Sequence, residues 1–180
     1  MDKSKKIKVL YKTDWVSLRR MVDTENGISG YDYLHEDRCN GKIVSILPFT
    51  YHQLTGERMY LLRKEVTPCW TLIPVISSIT GGVENNDPRE TAVHEIAEEA
   101  GYEIKKEDLI LLDTCFGTKS SDTIYYIYTV NLTTKDKTLK ADGDGSELEK
   151  KAHCFWSTTI ENAFDPLVYV AYYRINSKIK

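Results

Sequence analysis

The sequence predicts an α+β fold with a mixed sheet, few helices and an N-terminal region of antiparallel strands. Two observations lead to this prediction. Short β-like runs separated by turns fill the first third of the chain, and helical spacing of apolar residues is clearest after Asp87-Pro88 and Asp165-Pro166. Strands, a central helix, more strands and a terminal helix follow one another, which is not the order of a regular βαβ repeat.

Strands are predicted where β-branched and aromatic residues are dense or alternate with polar ones. The segments are IKVLYK, WVSLRRMV, GISGYDYLHE, KIVSILPF, RMYLLRKEV, TLIPVISSI, DLILLDTCF, DTIYYIYTVNL and AHCFW. In the clearest of them, alternate residues share one face: Ile124, Tyr126, Tyr128, Val130 and Leu132. We expect those tyrosines to pack in a sheet and not to bind a cofactor.

The central helix has signals at both ends. Asp87 is placed to cap it, Pro88 to take the first helical position and Glu90 to complete a capping box. Gly101 is the expected left-handed residue at its end. One side of the helix carries an apolar stripe: Ala92, Val93, Ile96, Ala97 and Ala100.

Two further helices are predicted near the C-terminus. Thr159 can cap a short helix that extends to Ala163, and Asp165-Pro166 repeats the cap-and-proline start. The last helix has an apolar side formed by Val168, Ala171, Tyr172 and Ile175.

Three glutamates, Glu95, Glu98 and Glu99, lie together near the C-terminal end of the central helix. A helix C-terminus carries partial negative charge, so each carboxylate there costs about 0.3–1 kcal/mol. Like charges three and four residues apart also repel. A bound divalent cation would reverse these penalties, and carboxylate oxygens suit Mg²⁺ or Mn²⁺. A solvated acidic face is the alternative, and the charge pattern alone leaves both open.

Composition excludes several classes of protein. A hydrophobic fraction of 41% can supply a sizeable core, and a net charge of −3 does not favour nucleic acid as a partner. No apolar run approaches the ~20 residues of a membrane span, and the start has no signal-peptide h-region. The four widely spaced cysteines indicate reduced thiols in or near the core of a cytoplasmic protein and do not indicate a zinc site: Cys39, Cys69, Cys115 and Cys154.

The segment GGVENNDPRETAVHEIAEEAGY resembles the Nudix box, G-x5-E-x7-R-E-U-x-E-E-x-G-U, where U is aliphatic. The second half of the box fits in register: Glu95, Ile96, Glu98, Glu99 and Gly101. The box is degenerate elsewhere, because His94 stands at the arginine and Asn86 at the first glutamate, for which Glu84 is a substitute in space. The loop after Gly82 is also short. In the family, the arginine and first glutamate mainly orient the metal-binding acids.

Beyond the box, the chain is similar to the ADP-ribose pyrophosphatase branch of the Nudix hydrolase superfamily. The similar segments are KIVSILPF, MYLLRKEV, ISSITGG, FGTKSSDTIYYIYTV and GSELEKKAHCFWS, which extend the resemblance over roughly residues 30–176. It implies a Nudix-type α/β/α sandwich with a mixed central sheet over residues 39–180. It also implies that the strands of residues 1–38 form an arm that helps to build a homodimer.

The resemblance implies a metal-dependent hydrolase of a nucleoside diphosphate linked to another group, with ADP-ribose as the first candidate substrate. Implied ligands of Mg²⁺ or Mn²⁺ are Glu95, Glu98, Glu99 and the carbonyl of Gly81. Glu98 is also a catalytic candidate, and a general base is expected in the late loop, with Glu149 preferred to Glu147.

Substrate contacts are expected from Arg63 and Gly82. Three aromatic residues are candidates for stacking on adenine, although packing in a core or an interface is the more usual role and the one favoured for each: Trp15, Trp70 and Tyr31. The competing function is a Nudix-fold module that binds or senses a nucleotide without hydrolysing it, which His94 favours. The three retained helix carboxylates favour the enzyme.

Overall fold

A computed structural model of the chain describes residues 5–141, 143 and 147–179. It confirms the α+β prediction, with three sheets and two α-helices in that part of the chain. The strands are β1 Lys5–Lys12, β2 Val16–Asp23, β3 Ile28–Glu36, β4 Lys42–Ile46, β5 Phe49–Tyr51, β6 Arg58–Glu65, β7 Val75–Ser77, β8 Ile79–Gly82, β9 Ile110–Phe116, β10 Ile124–Thr129 and β11 His153–Ser157. The helices are α1 Pro88–Glu95 and α2 Pro166–Lys178. No described helix combines the length and apolar character needed to cross a bilayer.

The sheets differ in their strand directions. β1, β2 and β3 form an antiparallel N-terminal sheet, and β11, β6 and β5 form a second antiparallel sheet, with β7 also paired to β6. The central sheet has the order β8-β4-β10-β9 and is mixed, because β10 runs parallel to β4 and antiparallel to β9. This central sheet matches the mixed sheet that the sequence predicts.

Two segments predicted as single strands are each divided into two. KIVSILPF gives β4 and β5, because Pro48 between them has no N–H to donate. TLIPVISSI gives β7 and β8, separated at Ser78, whose backbone N–H donates to Asp165 Oδ2 at 3.1 Å. The side-chain hydroxyl of Ser78 donates to the same carboxylate oxygen at 2.5 Å, so the break is filled by a buried polar contact.

Successive side chains of the central strands point to opposite faces of the sheet and build two cores. The core beneath α1 contains Val44, Ile46, Leu61, Ile79, Ala92, Ile96, Ala100, Tyr128 and Val130. The core beneath α2 contains Leu47, Phe49, Leu62, Leu112, Ile127, Val168, Ala171 and Ile175. The two helices therefore cover opposite sides, as an α/β/α sandwich requires, and each buried large aliphatic side chain contributes about 1.5–3 kcal/mol.

The start of α1 is capped as predicted, but the capping box is incomplete. Asp87 Oδ1 accepts from the backbone N–H groups of Arg89 at 3.0 Å and Glu90 at 3.2 Å. The Glu90 carboxylate instead pairs with Lys106 Nζ at 3.4 Å. After Glu95 the helix widens into one π-helical turn, Ile96–Ala100, and ends at Gly101 with φ 78°.

The short helix predicted from Thr159 to Ala163 is wrong. This segment is a turn, in which Thr159 Oγ1 accepts from the backbone N–H of Glu161 at 3.2 Å. Ala163 then forms a bridge with Ile76, so the local cap is satisfied without a following helical turn.

The cysteines are only partly where the sequence places them. All four are free thiols; Cys39 is buried, while Cys69 is exposed and contradicts the expectation of a core position. Burial, together with nearby Glu99, raises the pKa of Cys154 to about 12. That thiol therefore stays neutral and behaves as a small apolar side chain.

The N-terminal sheet contacts the rest of the molecule through β3. The backbone N–H of Leu34 donates to the Ser120 carbonyl at 2.9 Å, and His35 Nδ1 lies 2.9 Å from Asp122 Oδ2. Tyr31 adds a hydrogen bond from its hydroxyl to the Lys119 carbonyl at 2.5 Å. The division of the chain at residues 38 and 39 stays a prediction.

Acid should loosen this sheet through Asp37. Ser17, Lys12 and Arg19 lower the pKa of the Asp37 carboxyl from 3.8 to about 2. Its contribution to stability is therefore complete above the ordinary pKa and is lost as the pH falls from there through about 2. We expect the urea midpoint to fall over this range, and to fall less in Asp37→Asn. Equal pH dependence in both proteins would contradict the assignment.

Candidate active site

An acidic cleft of about 1000 Å³ opens beside α1, the π turn and β8. Among the described residues that line it, seven are acidic and one, Arg38, is a basic side chain. The acidic residues are Glu65, Glu84, Glu90, Glu95, Glu98, Glu99 and Asp165. A phosphate-bearing ligand would be repelled from such a lining unless cations entered with it.

Gly81 and Glu95 are in direct contact across this cleft. A Cβ atom added at Gly81 would lie 1.8 Å from Glu95 Oε1, closer than any non-bonded atom can approach. The last residue of α1 therefore rests its carboxylate on the backbone of β8. This places two of the predicted metal ligands, one carboxylate and one backbone position, next to each other.

Glu98 lies at the cleft surface and has two neighbours. Its Oε2 lies 3.3 Å from His94 Nδ1, one turn earlier on the helix. The backbone carbonyl of Glu98 accepts from the N–H of Gly143 at 3.3 Å, which brings part of the late loop to the π turn.

Glu99 is turned inward and pairs with Arg63 of β6. Arg63 Nη1 lies 2.7 Å from Glu99 Oε2, and the two side chains are only 3% and 9% exposed. Arg63 Nε also donates to Glu65 Oε2 at 2.9 Å, and Ser77 Oγ donates to Glu65 Oε1 at 2.7 Å. The structure thus places Arg63 in buried ion pairs beneath the cleft, whereas the sequence suggests a direct substrate contact, which stays a prediction.

Glu65 is a cleft residue that the sequence analysis does not identify. The signal for it is present, because residues two apart on a strand share a face, and Glu65 follows Arg63 by two. The partner across the sheet is not visible in the sequence, since Ser77 comes from the separate strand β7.

The π turn changes the spacing on which the carboxylate prediction depends. Its hydrogen bonds reach one residue further than those of an α-helix, so Glu98 and Glu99 are displaced from the positions given by about 100° per residue. Such turns occur frequently at functional sites. Within the described part of the chain, no three His, Cys, Asp or Glu side chains converge closely enough to hold one metal ion.

The donor set nevertheless fits Mg²⁺ or Mn²⁺ in its chemistry. Glu95, Glu98, Glu99 and Gly81 all line the same cleft and offer carboxylate and carbonyl oxygens. These are the hard ligands that both ions prefer. None of these four donors is a sulfur atom, the soft ligand type.

Of the two bases predicted in the late loop, only Glu147 has a side chain that the structure describes, and it is not among the described residues that line the cleft. Glu147 is 82% exposed and pairs with Lys150 Nζ at 2.7 Å. The side chain of Glu149 lies outside the part of the chain that the structure describes. The base role of both residues stays a prediction.

Two tryptophans line the cleft with much of their surface exposed. Trp15 is 64% exposed and Trp70 46% exposed. The guanidinium of Arg38 lies 5.5 Å from the centre of the Trp15 ring, and Trp70 lies 6.2 Å from the ring of Phe164. Tyr31, the third stacking candidate, lines a different groove.

The departures from the box have a local explanation. Asn86 adopts φ 57°, a left-handed conformation that asparagine tolerates better than glutamate, and its side chain accepts from Lys42 Nζ at 3.0 Å. Asn86 therefore serves the turn into α1. Glu84, the suggested substitute, lies on the cleft.

Comparisons with known proteins now place the fold. No protein-family model and no curated protein matches the chain. Among solved structures, an ADP compounds hydrolase superposes with a TM-score of 0.68 at 12% identity, over 96% of this chain and 90% of the other. A MutT/Nudix family protein from Enterococcus faecalis also matches, with a TM-score of 0.58 at 15% identity over 77% of this chain and 63% of the other. The chain has the Nudix fold.

Within the Nudix fold, the described elements give the box residues definite places. The loop and helix of the box are β8, α1 and the π turn, and they form one wall of the acidic cleft. At these identities the neighbours establish the fold. The activity has to be argued from the side chains of this chain.

Proposed function

We propose that this Nudix-fold protein is a divalent-metal-dependent hydrolase of a nucleoside diphosphate linked to another group. ADP-ribose is the first candidate, with AMP and ribose 5-phosphate as products. The observation that carries the proposal is the acidic cleft, where Glu95 rests on Gly81 and three box carboxylates face one space. The cleft's negative charge and an anionic substrate are compatible only if cations bind between them.

Each site residue has its own role in the proposed reaction. Glu95, Glu98, Glu99 and the Gly81 carbonyl would hold Mg²⁺ or Mn²⁺, and the bound ion would neutralise the diphosphate and lower the pKa of a water molecule. Water attacks one phosphorus, and the bond from that phosphorus to the bridging oxygen breaks. The proton of that water passes to a general base in the late loop, for which Glu149 is preferred to Glu147, and Glu98, which lines the cleft, is a further catalytic candidate. Gly82, the other expected substrate contact, also lines the cleft, and a Cβ atom added there would meet Cys39 Cβ at 2.9 Å.

The nucleobase is expected to stack on Trp15 or Trp70. Stacking of a base on an aromatic side chain contributes about 1–3 kcal/mol, so Trp15→Ala or Trp70→Ala should raise KM by roughly 5-fold to 150-fold. Because a stacked ring would bind the base equally in the ground state and the transition state, kcat should change much less. Steady-state kinetics with ADP-ribose checks this, with Trp15→Phe and Trp70→Phe as controls that keep a ring. Unchanged KM in both alanine variants would contradict the stacking role.

The competing function is a module that binds a nucleotide without cleaving it. It is favoured by His94 in place of the box arginine and by the lack of convergence of three ligands in the described structure. The deciding experiment measures product release from ADP-ribose, NADH, FAD and diadenosine polyphosphates with Mg²⁺ or Mn²⁺. Metal-dependent turnover supports the hydrolase. Absence of turnover on all compounds, with tight calorimetric binding of one, would replace it by the sensor.

A homodimer through the N-terminal sheet is part of the proposal. Ile7, Val9 and Tyr11 of β1 are large and exposed, and a groove of about 320 Å³ crosses the sheet beside Ile7, Met21 and Tyr31. In the described structure β1 pairs with β2 alone, so its outer edge can receive a second copy.

Charges on this face should separate the dimer. Ile7→Glu combined with Val9→Glu should shift the mass in solution from dimer to monomer, because two carboxylates would be buried at the contact. Size-exclusion chromatography with light scattering measures this. Lys8→Glu, on the opposite face of β1, is the matched control. A wild-type monomer at all concentrations would refute the dimer.

A further inference from the structure

Arg63 supplies, from a different element, a buried cation next to the box carboxylates. It lies on β6, opposite Cys154 of β11 and Ser77 of β7, so its backbone is held in the interior of a sheet. Its side chain is 3% exposed and extends to the π turn, where Nη1 lies 2.7 Å from Glu99 Oε2. A buried guanidinium needs such compensation, because an unpaired charge in the interior is strongly unfavourable.

His94 cannot do the same for Glu99. His94 is exposed and its Nδ1 faces Glu98 at 3.3 Å. The two carboxylates are therefore contacted by different residues: Glu98 by His94 of α1, and Glu99 by Arg63 of β6. The loss of the box arginine at position 94 leaves the orientation of Glu99 untouched.

Glu65 also contacts the Arg63 guanidinium, at a different nitrogen from Glu99. Arg63 Nε donates to Glu65 Oε2 at 2.9 Å, and the hydroxyl of Ser77 fixes Glu65 Oε1 at 2.7 Å. The planar guanidinium is thus held at two of its nitrogens, at Nη1 by Glu99 of the π turn and at Nε by Glu65 of β6. A carboxylate has about four lone-pair sites, so the contact with Arg63 does not by itself use all the acceptor sites of Glu99.

We infer that Arg63, fixed by Glu65, is a positioning residue that aims the Glu99 carboxylate at the metal of the proposed hydrolase. This inference rests on the proposed function. It assigns to β6 the orienting role that the family's arginine has on the helix. Loss of a group that orients a metal ligand typically lowers metal affinity or activity by about 10-fold to 100-fold.

The test measures Mn²⁺ affinity by electron paramagnetic resonance, without substrate, for wild type, Arg63→Lys, Arg63→Met and Glu65→Gln. We expect Mn²⁺ binding to weaken about 10-fold to 100-fold in Arg63→Met and by less in Arg63→Lys and Glu65→Gln. Arg20→Met, which removes an arginine paired with Asp32 on the N-terminal sheet, is the control and should bind Mn²⁺ as wild type does. Circular dichroism establishes that each variant is folded.

The outcomes are separable. If wild type binds Mn²⁺ and Arg63→Lys and Glu65→Gln bind it equally well, the inference is overturned, even if Arg63→Met fails to fold. If wild type neither binds Mn²⁺ nor turns over any substrate, the proposed hydrolase fails and the inference falls with it. The positioning role is supported if Mn²⁺ binding is weakened in the folded Arg63 and Glu65 variants and is not restored when His94→Arg is added to them. Residue 94 should not restore it because it contacts Glu98 and not Glu99.

Discussion

Replacing Glu98 or Glu99 by glutamine is expected to reduce metal-dependent hydrolysis by about 10³-fold or more, a barrier increase of about 4 kcal/mol. Glutamine keeps the size of the side chain and removes the charge that an ion requires. Initial rates on ADP-ribose with Mg²⁺ and Mn²⁺ measure the loss. Glu103→Gln, which removes an exposed acid just beyond Gly101, is the matched control and should keep the wild-type rate.

The same variants should separate the effect of the carboxylates on thermal stability from their role in binding the metal. Without metal, Glu98→Gln removes a charge from the negative end of the helix, so thermal stability should stay the same or rise slightly. With Mn²⁺ in excess, wild type gains stability by mass action and the variant gains much less. Thermal unfolding without Mn²⁺ measures the intrinsic stability of each protein, and unfolding with Mn²⁺ measures the gain in stability on binding the ion. A Glu98→Gln protein that is stabilised by Mn²⁺ as strongly as wild type would remove Glu98 from the ligand set.

The elements of the fold could be predicted because their signals are local. Asp87 and Asp165 each precede proline and cap a helix, and Gly101 ends the first helix in the left-handed region. Four of the five alternating residues predicted to share a face, Tyr126, Tyr128, Val130 and Leu132, belong to or pack against one core, whereas Ile124 belongs to neither core. These features depend on neighbours within a few residues.

Features that depend on distant segments could not be predicted. The break between β7 and β8 depends on Asp165, and the turn at residues 159–163 depends on a bridge to Ile76. The π turn is also invisible, because a regular α-helix would satisfy the same apolar stripe.

The candidate site divides in the same way. The three carboxylates on α1 and the π turn could be identified from the sequence alone, because the motif that contains them depends on local spacing. The ion pairs of Arg63 join β6 to the π turn, and Trp15 and Trp70 come to the cleft from two segments far apart in the chain. Only the folded sheet gives these contacts, so the sequence suggests the residue types and not their partners.

Gly81→Ala is the second change with a large expected effect. The added methyl group would meet Glu95 at 1.8 Å from Oε1 and 2.6 Å from Cγ, so the carboxylate has to leave its place on β8. The helix cannot retreat without opening the core, because its Ala92 and Ile96 are fully buried against residues of the central sheet. We expect kcat/KM and Mn²⁺ affinity to fall about 100-fold, since a ligand and its carbonyl neighbour are separated.

Stability should respond differently from activity. Alanine has less conformational freedom to lose than glycine in a strand, which favours the variant by roughly 0.5–1 kcal/mol and offsets the displacement of one half-buried side chain. Gly30→Ala is the control, because its added carbon would lie 3.4 Å from Arg20 Cδ, an ordinary contact, and far from the carboxylates in sequence and sheet. Urea unfolding beside kinetics tests the separation. A Gly81→Ala enzyme with wild-type kinetics would mean that the contact between Gly81 and Glu95 has no part in binding the ion.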